Sequence, residues 1–421
     1  MALIVYLNNE KLGSLQLDAR RRFIFQYDAA WLARPDAVPL SLALPLQTEP
    51  YTDDSARPFF SNLLPEAQLR EAIARKLGIS ETNDYGLLEA IGGECAGAVS
   101  LSPEESAPVT EGDYQTLDEQ ALHDLIEQLP RRPMLAGEGE MRLSLAGVQN
   151  KLPVYFDGQG ISLPRGASPS SHILKPAIRE YPNSIFNEAY CMRLAQAVGL
   201  NVPDVTLIEN QGDWLYLVGR YDRERDSHGS LQRLHQEDFC QALGVLPETK
   251  YEKEGGPSLA DCFSLIKQQS IQPAADQLQL LNWAVFNYLI GNADAHGKNV
   301  SLLLTQQGPR LAPFYDLMST AIYPGLSERP AMKIGGEDRP QWIIARSWEK
   351  LATDCGIGFK LVKQTLEKVS HTLQEQAPEV AQQFEQSQQA SEVTVAIQQV
   401  VAQRIKKIEA SFNAAAQGRD G

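Results

Sequence analysis

The chain opens with short apolar runs at Ala2 to Leu7, Gly13 to Leu17 and Phe23-Ile24-Phe25, punctuated by Asn8 and Asn9. Runs of this length, rich in β-branched and aromatic residues and bounded by turn formers, predict a small β-rich unit. The period then becomes helical. Leu69, Ile73 and Leu77 recur every four residues between Glu66 and Leu77, with Pro65 placed for the first turn. Polar, turn-rich stretches at Ser102 to Gly112 and Arg131 to Gly139 interrupt the pattern. Strands are expected next at Lys151 to Phe156, Ile161 to Leu163 and His172 to Lys175. A helix over Ser184 to Val198, ended by Gly199, leads to a hairpin of Val205 to Glu209 and Trp214 to Val218 around Asn210-Gln211-Gly212-Asp213. From Gln236 onward helical patterns dominate. Leu278 to Ile290 is strongly apolar, and Ile397, Val400, Val401, Ile405, Ile408 and Phe412 form a stripe that reads as a core-facing helix. The expected organisation is an α+β chain in three parts: a β-rich unit over 1–130, a second β-rich lobe over 131–235 and a helical lobe over 236–421.

Composition leaves that picture standing. At 421 residues, with 43% hydrophobic and 22% charged, the chain is long enough for more than one core and far from a disordered composition. No stretch approaches the length of a membrane span, and the start lacks a basic leader, so a cytoplasmic protein with no membrane partner is expected. The five cysteines are scattered without a C-x-x-C pair, which argues against a disulfide framework or a zinc site. A net charge of -15 disfavours broad attraction to nucleic acid or anionic lipid.

Chemistry enters where Gly291-Asn292-Ala293-Asp294-Ala295-His296-Gly297-Lys298-Asn299 interrupts an apolar helix. Phosphoryl transfer asks little of a protein: a carboxylate to orient the attacking hydroxyl, and oxygen ligands that hold Mg²⁺ against the phosphates. Asp294 and Asn299 supply these types. Asp316 is the second acidic candidate. If Gln307-Gly308 is the turn of a hairpin beginning at Val300, Asn299 and Asp316 face each other across the ladder, close enough to share one metal ion. His296 suits a loop strut or a hydrogen-bond donor better than a ligand, because Mg²⁺ prefers oxygen. A cradle for phosphates is sought upstream, in the small-residue loop Ser144-Leu145-Ala146-Gly147-Val148-Gln149-Asn150-Lys151 and in Lys175, with Glu188 as a conceivable partner of that lysine. Singly, each of these has a commonplace alternative: Asp294 as a helix cap, Asn299 as a turn residue, Lys175 as a surface charge. Their conjunction favours a phosphotransferase.

Three segments carry a resemblance to a known family. Arg142 to Lys151, Ile290 to Asn299 and Pro313-Phe314-Tyr315-Asp316-Leu317-Met318-Ser319 are similar to the three signatures of HipA-type kinases, and Phe59 to Glu66 and Gly93 to Gly97 extend the likeness to the first unit. The resemblance implies a bilobal, protein-kinase-like fold related to phosphatidylinositol kinases, using ATP and Mg²⁺. Carried over, Asp294 is the catalytic base, with His296 and Lys298 in the same loop, and Asn299 and Asp316 hold the metal. Lys175 contacts the phosphates under the loop Ala146, Gly147, Val148, Gln149, Asn150 and Lys151. Ser144 matches the autophosphorylated serine, and Gly219, Arg220 and Tyr221 fall on the adenine-binding hinge, where Gly219 replaces a larger residue and leaves backbone contacts. The family further implies a toxin held by a small helix-turn-helix antitoxin (HipB-like) dimer, operator DNA bound mainly through that antitoxin, and a protein substrate such as glutamyl-tRNA synthetase, an aminoacyl-tRNA synthetase whose phosphorylation stops translation. Two alternatives stand beside it: a small-molecule or lipid kinase of related fold, and a kinase-silent co-repressor module. Asp294 precedes His296, as in phosphatidylinositol-type rather than aminoglycoside-type kinases, and the complete set of Asp294, Asn299, Asp316 and Lys175 speaks against the silent module.

Overall fold

The structure is a computed structural model that describes residues 2–104, 111–130, 149–384 and 388–417. The chain folds into two compact units that interleave along the sequence. The first comprises Met1–Pro176, Thr206–Glu248 and Leu302–Gly308; the second comprises Ala177–Val205, Thr249–Ser301 and Pro309–Gly421.

The first unit is built on two antiparallel sheets. One has four strands in the order Phe23–Tyr27, Glu10–Leu17, Leu3–Leu7, Val99–Pro103. Asn8 and Asn9, with φ of 50° and 66°, turn the first hairpin in the left-handed region that suits the twist of paired strands. Helices Asp53–Asn62, Ala67–Leu77 and Asp84–Ile91 contribute to a core around Phe25, Phe59 and Phe60, with ring centroids 5.3 and 5.5 Å apart. Glu66 is the N-cap of the middle helix, so Pro65 lies ahead of the cap and not in the first turn as expected. The other sheet has six strands in the order Gly112–Leu117, Ile161–Gly166, Leu152–Phe156, His172–Pro176, Asp213–Gly219, Val205–Asn210. Its expected hairpin turns at Gln211 and Gly212, φ 51° and 89°. Strand Gly112–Leu117 escaped the sequence reading because its residues are exposed except at the very end, leaving no burial period to detect. A short strand, Gln236–Asp238, interrupts the region expected to be helical and joins Ser301–Thr305 and Gly308–Leu311 in a three-stranded sheet.

The second unit is helical: Ser184–Ala197, Leu259–Gln269, Pro273–Ile290, Ala345–Asp354, Phe359–Gln382 and Gln388–Gln417. Helix Pro273–Ile290 is its axis. Residues Leu280 to Ile290 are buried almost all round because the neighbouring helices pack on several sides, which is why its sequence shows a continuous apolar run rather than a stripe. Trp283 stacks on Phe314 at 5.7 Å, anchoring the segment that carries Asp316. The stripe on the last helix faces the core as expected, with Ile397, Val401, Ile405 and Ile408 buried. All five cysteines are buried thiols. Among the described residues no helix is long and apolar enough to cross a membrane.

Candidate active site

Helix Pro273–Ile290 stops at Gly291, whose φ of 73° lets Asn292 N return to Asn287 O at 2.9 Å. A side chain would not fit there: a Cβ on Gly291 would lie 2.7 Å from Ala321 Cβ. The chain then turns through hydrogen bonds that its own polar residues supply. Asn292 Nδ2 donates to Asn287 Oδ1 at 2.8 Å, and its Oδ1 accepts from Asp294 N at 3.0 Å. Thr320 Oγ accepts from Ala293 N at 2.8 Å and donates to Gly291 O at 3.1 Å. Asn187 exchanges two bonds of 2.8 Å with the backbone of Ser319. The two acidic segments are therefore braced by buried amides, which leaves Asp294, at 52% side-chain exposure, open to solvent.

Asn299 sits in a single 3₁₀ turn, Gly297–Asn299, with its Nδ2 3.2 Å from Asp294 O and 3.5 Å from Asp316 Oδ2. The juxtaposition holds, although the register expected for it does not. The hairpin turns at Gln306 and Gln307, one residue early, and Ala312 N donates to Ser301 O at 2.9 Å, so the ladder ends before either residue. What brings them together is the 3₁₀ turn on one side and Asp316 at φ 57° on the other. A non-glycine residue held left-handed costs about 1–3 kcal/mol and persists where the surroundings impose it. A carboxylate and a side-chain amide are oxygen-bearing groups of the type that Mg²⁺ takes as ligands. Among the described residues no group of three or more His, Cys, Asp or Glu forms a metal cluster. Tyr251 went unnoticed in the sequence: its hydroxyl donates to Asp294 Oδ1 at 2.6 Å, and its ring meets His296 edge-on at 5.2 Å. Tyr315 donates to Lys298 O at 2.5 Å.

The chain matches the HipA N-terminal domain over residues 3–102 and the HipA-like C-terminal domain over residues 143–390. It belongs to the HipA family. It is 45% identical over 370 residues to the putative kinase Y4mE of Sinorhizobium fredii, covering 86% of this chain and 88% of that one. It is 32% identical over 393 residues to the serine/threonine-protein kinase toxin HipA of Shewanella oneidensis, covering 90% and 89%. A solved structure of the Shewanella oneidensis MR-1 toxin–antitoxin complex of HipA, HipB and operator DNA contains a chain that superposes with a TM-score of 0.86, at 29% identity and 98% coverage of both.

Within this HipA-family chain, Asp294, His296, Lys298, Asn299 and Asp316 come together in the second unit, where His296, Lys298 and Asn299 are buried. Glu188 is buried on helix Ser184–Ala197 of the same unit. Lys175 belongs to the first unit, on strand His172–Pro176, where it faces Tyr216 across the ladder with its Nζ 5.5 Å from that ring. Gln149 Nε2 donates to Pro176 O at 3.1 Å, and Asn150 and Lys151 follow just before strand Leu152–Phe156. Gly219 ends strand Asp213–Gly219, Arg220 has a buried side chain, and Tyr221 donates to Gln236 Oε1 at 2.7 Å. Ser144, Ala146, Gly147 and Val148 lie outside the described residues. The bracing amides Asn187 and Asn287 carried no local signal beyond their polarity in apolar helices, whereas Asn292 lies in the loop that follows Gly291.

Proposed function

We propose that this chain is an ATP- and Mg²⁺-dependent serine/threonine protein kinase acting as the toxin of a toxin–antitoxin pair. The observation that carries the reading is the meeting of Asn299 and Asp316 beside Asp294, all on one braced turn system. In this reading Asp294 orients the acceptor hydroxyl and takes its proton, with His296 and Lys298 shaping the loop. Asn299 and Asp316 hold the metal, which supplies charge neutralisation at the phosphates. Lys175 contacts the phosphates under the loop that runs to Lys151, and Gly219 to Tyr221 receive the adenine through backbone atoms. The chain is assigned a two-lobed fold of the phosphatidylinositol-kinase type, with the N-terminal subdomain over 1–130, the nucleotide lobe over 131–235 and the helical lobe over 236–421. Its protein substrate is an aminoacyl-tRNA synthetase of the glutamyl type, Ser144 is its autophosphorylation site, and a HipB-like antitoxin dimer carries it to operator DNA in the cytoplasm.

The test is incubation of the purified chain with Mg²⁺, γ-labelled ATP and bacterial lysate, with mass spectrometry of every labelled protein. Label on Ser144 and a tRNA synthetase is expected, falling by on the order of 10²–10⁴ in Asp294→Asn and Asp316→Asn at unchanged melting temperature. ATP bound without label on any protein would overturn the protein-kinase reading.

A further inference from the structure

The residues that follow strand Asp213–Gly219 are gripped by a buried ionic network whose other half lies in the HipA N-terminal domain. Arg220 donates to both Asp222 carboxylate oxygens, at 2.9 and 2.7 Å, and through Nη1 to Ser170 Oγ at 3.0 Å and Glu94 Oε1 at 3.4 Å. Arg223 donates to Glu94 Oε1 and to Ser170 O, each at 3.0 Å, and to Gly97 O at 3.2 Å. Gly97 N donates to Asp222 Oδ2 at 2.7 Å. Gly97 has a φ of 72°, and a Cβ there would come within 2.8 Å of Gln236 N, so this stretch of the N-terminal domain lies directly on the chain beyond the network. A second grip closes the same span from its far end: Glu237 accepts from Ser41 Oγ at 2.5 Å and Leu42 N at 2.9 Å, and Gln241 Nε2 donates to Phe59 O at 3.1 Å.

Burying the four charges of Glu94, Arg220, Asp222 and Arg223 is a costly way to stabilise a core, since apolar residues of similar volume do as well or better. What ions with fully used hydrogen bonds supply is one fixed geometry. Glu94, Arg220 and Asp222 are 7%, 7% and 4% exposed, too enclosed to trade partners with water. Burial alone would raise the Glu94 carboxyl, but Arg233, Arg220 and Arg223 outweigh it and hold the group at about 2, so the network stays charged at any physiological pH.

We infer that the N-terminal domain is a positioning element for nucleotide binding: through Glu94 and Gly97 it fixes Arg220, Asp222 and Arg223, and so sets the backbone of Gly219 to Tyr221. This rests on the kinase reading, which assigns the adenine to that segment. The experiment is titration of Mg²⁺-ATP into the full chain and into Glu94→Gln, Glu94→Asp, Ser170→Ala and Leu88→Ala, with kcat and KM measured in parallel. Leu88 is buried in the same domain and serves as the control for mere loss of stability. Expected are a rise of about tenfold in Kd and KM for ATP in Glu94→Gln and about threefold in Ser170→Ala, with kcat changed far less. Glu94→Asp should recover part of the loss, and Leu88→Ala should melt lower while binding normally. ATP affinity unchanged in folded Ser170→Ala and Glu94→Gln overturns the inference, as does an equal loss in Leu88→Ala; if Glu94→Gln does not fold, Ser170→Ala decides. Failure of the unsubstituted chain to bind ATP removes the kinase reading and the inference with it, whereas normal binding there with no effect in the variants removes the inference alone.

Discussion

Asp294 already has a hydroxyl on its Oδ1, that of Tyr251 at 2.6 Å, and in the proposed kinase that hydroxyl competes with an acceptor hydroxyl for the same oxygen. Tyr251→Phe should therefore lower KM for the protein substrate by about fivefold, the worth of one hydrogen bond of roughly 1 kcal/mol, with KM for ATP unchanged. A higher KM for protein would instead make the tyrosine part of the acceptor site. The residue scale is also where the sequence was most informative. Asp294, Asn299 and Asp316 stood out as candidates because phosphoryl transfer calls for those side-chain types, and the structure brings them near one another. Tyr251 did not, since nothing near position 251 in the sequence points toward a loop more than forty residues on.

At the scale of elements, the turn over residues 291–299 depends on how tightly one helix end can be closed. Gly291→Ala pushes a methyl onto Ala321 and forces a left-handed alanine, so it should cost about 1–3 kcal/mol of stability and lower kcat by tilting the 292–299 turn; calorimetry and steady-state rates read both. Loop 40–42 and strand Gln236–Asp238 are joined by Glu237, whose carboxyl burial pushes up to about 8 from 4.5. A carboxyl raised in the folded state keeps its proton while the unfolded chain releases it, so stability falls as pH rises from about 4.5 to 8. The melting temperature of Glu237→Gln relative to the unsubstituted chain should accordingly climb across that window; a constant difference would mean the carboxyl is ionised throughout. Element types were mostly readable, because apolar periods of two and four report faces. The hairpin register was not: Gln306 and Gln307 carry no turn preference that a sequence can display, and Thr305 Oγ, which accepts from Gln307 N at 3.2 Å and donates to Gly308 O at 2.8 Å, settles the turn.

For the whole molecule, a net charge of -15 opposes approach to duplex DNA. The chain alone should leave an operator fragment unshifted at physiological salt, and addition of the HipB-like antitoxin proposed as its partner should produce a shifted complex containing both; retardation by the chain alone would reveal a basic face strong enough to outweigh the total. By itself the sequence determined which side-chain types are available for chemistry and where most of the helices and strands fall, since both follow from local residue types and their period. Only the tertiary structure decided that Asn299 meets Asp316 through a 3₁₀ turn and a left-handed aspartate, that Tyr251 rests on Asp294, and that Arg220 and Arg223 are locked to Glu94 and Asp222 to Gly97. These are contacts between residues distant in sequence, and their energy depends on burial that no local pattern records.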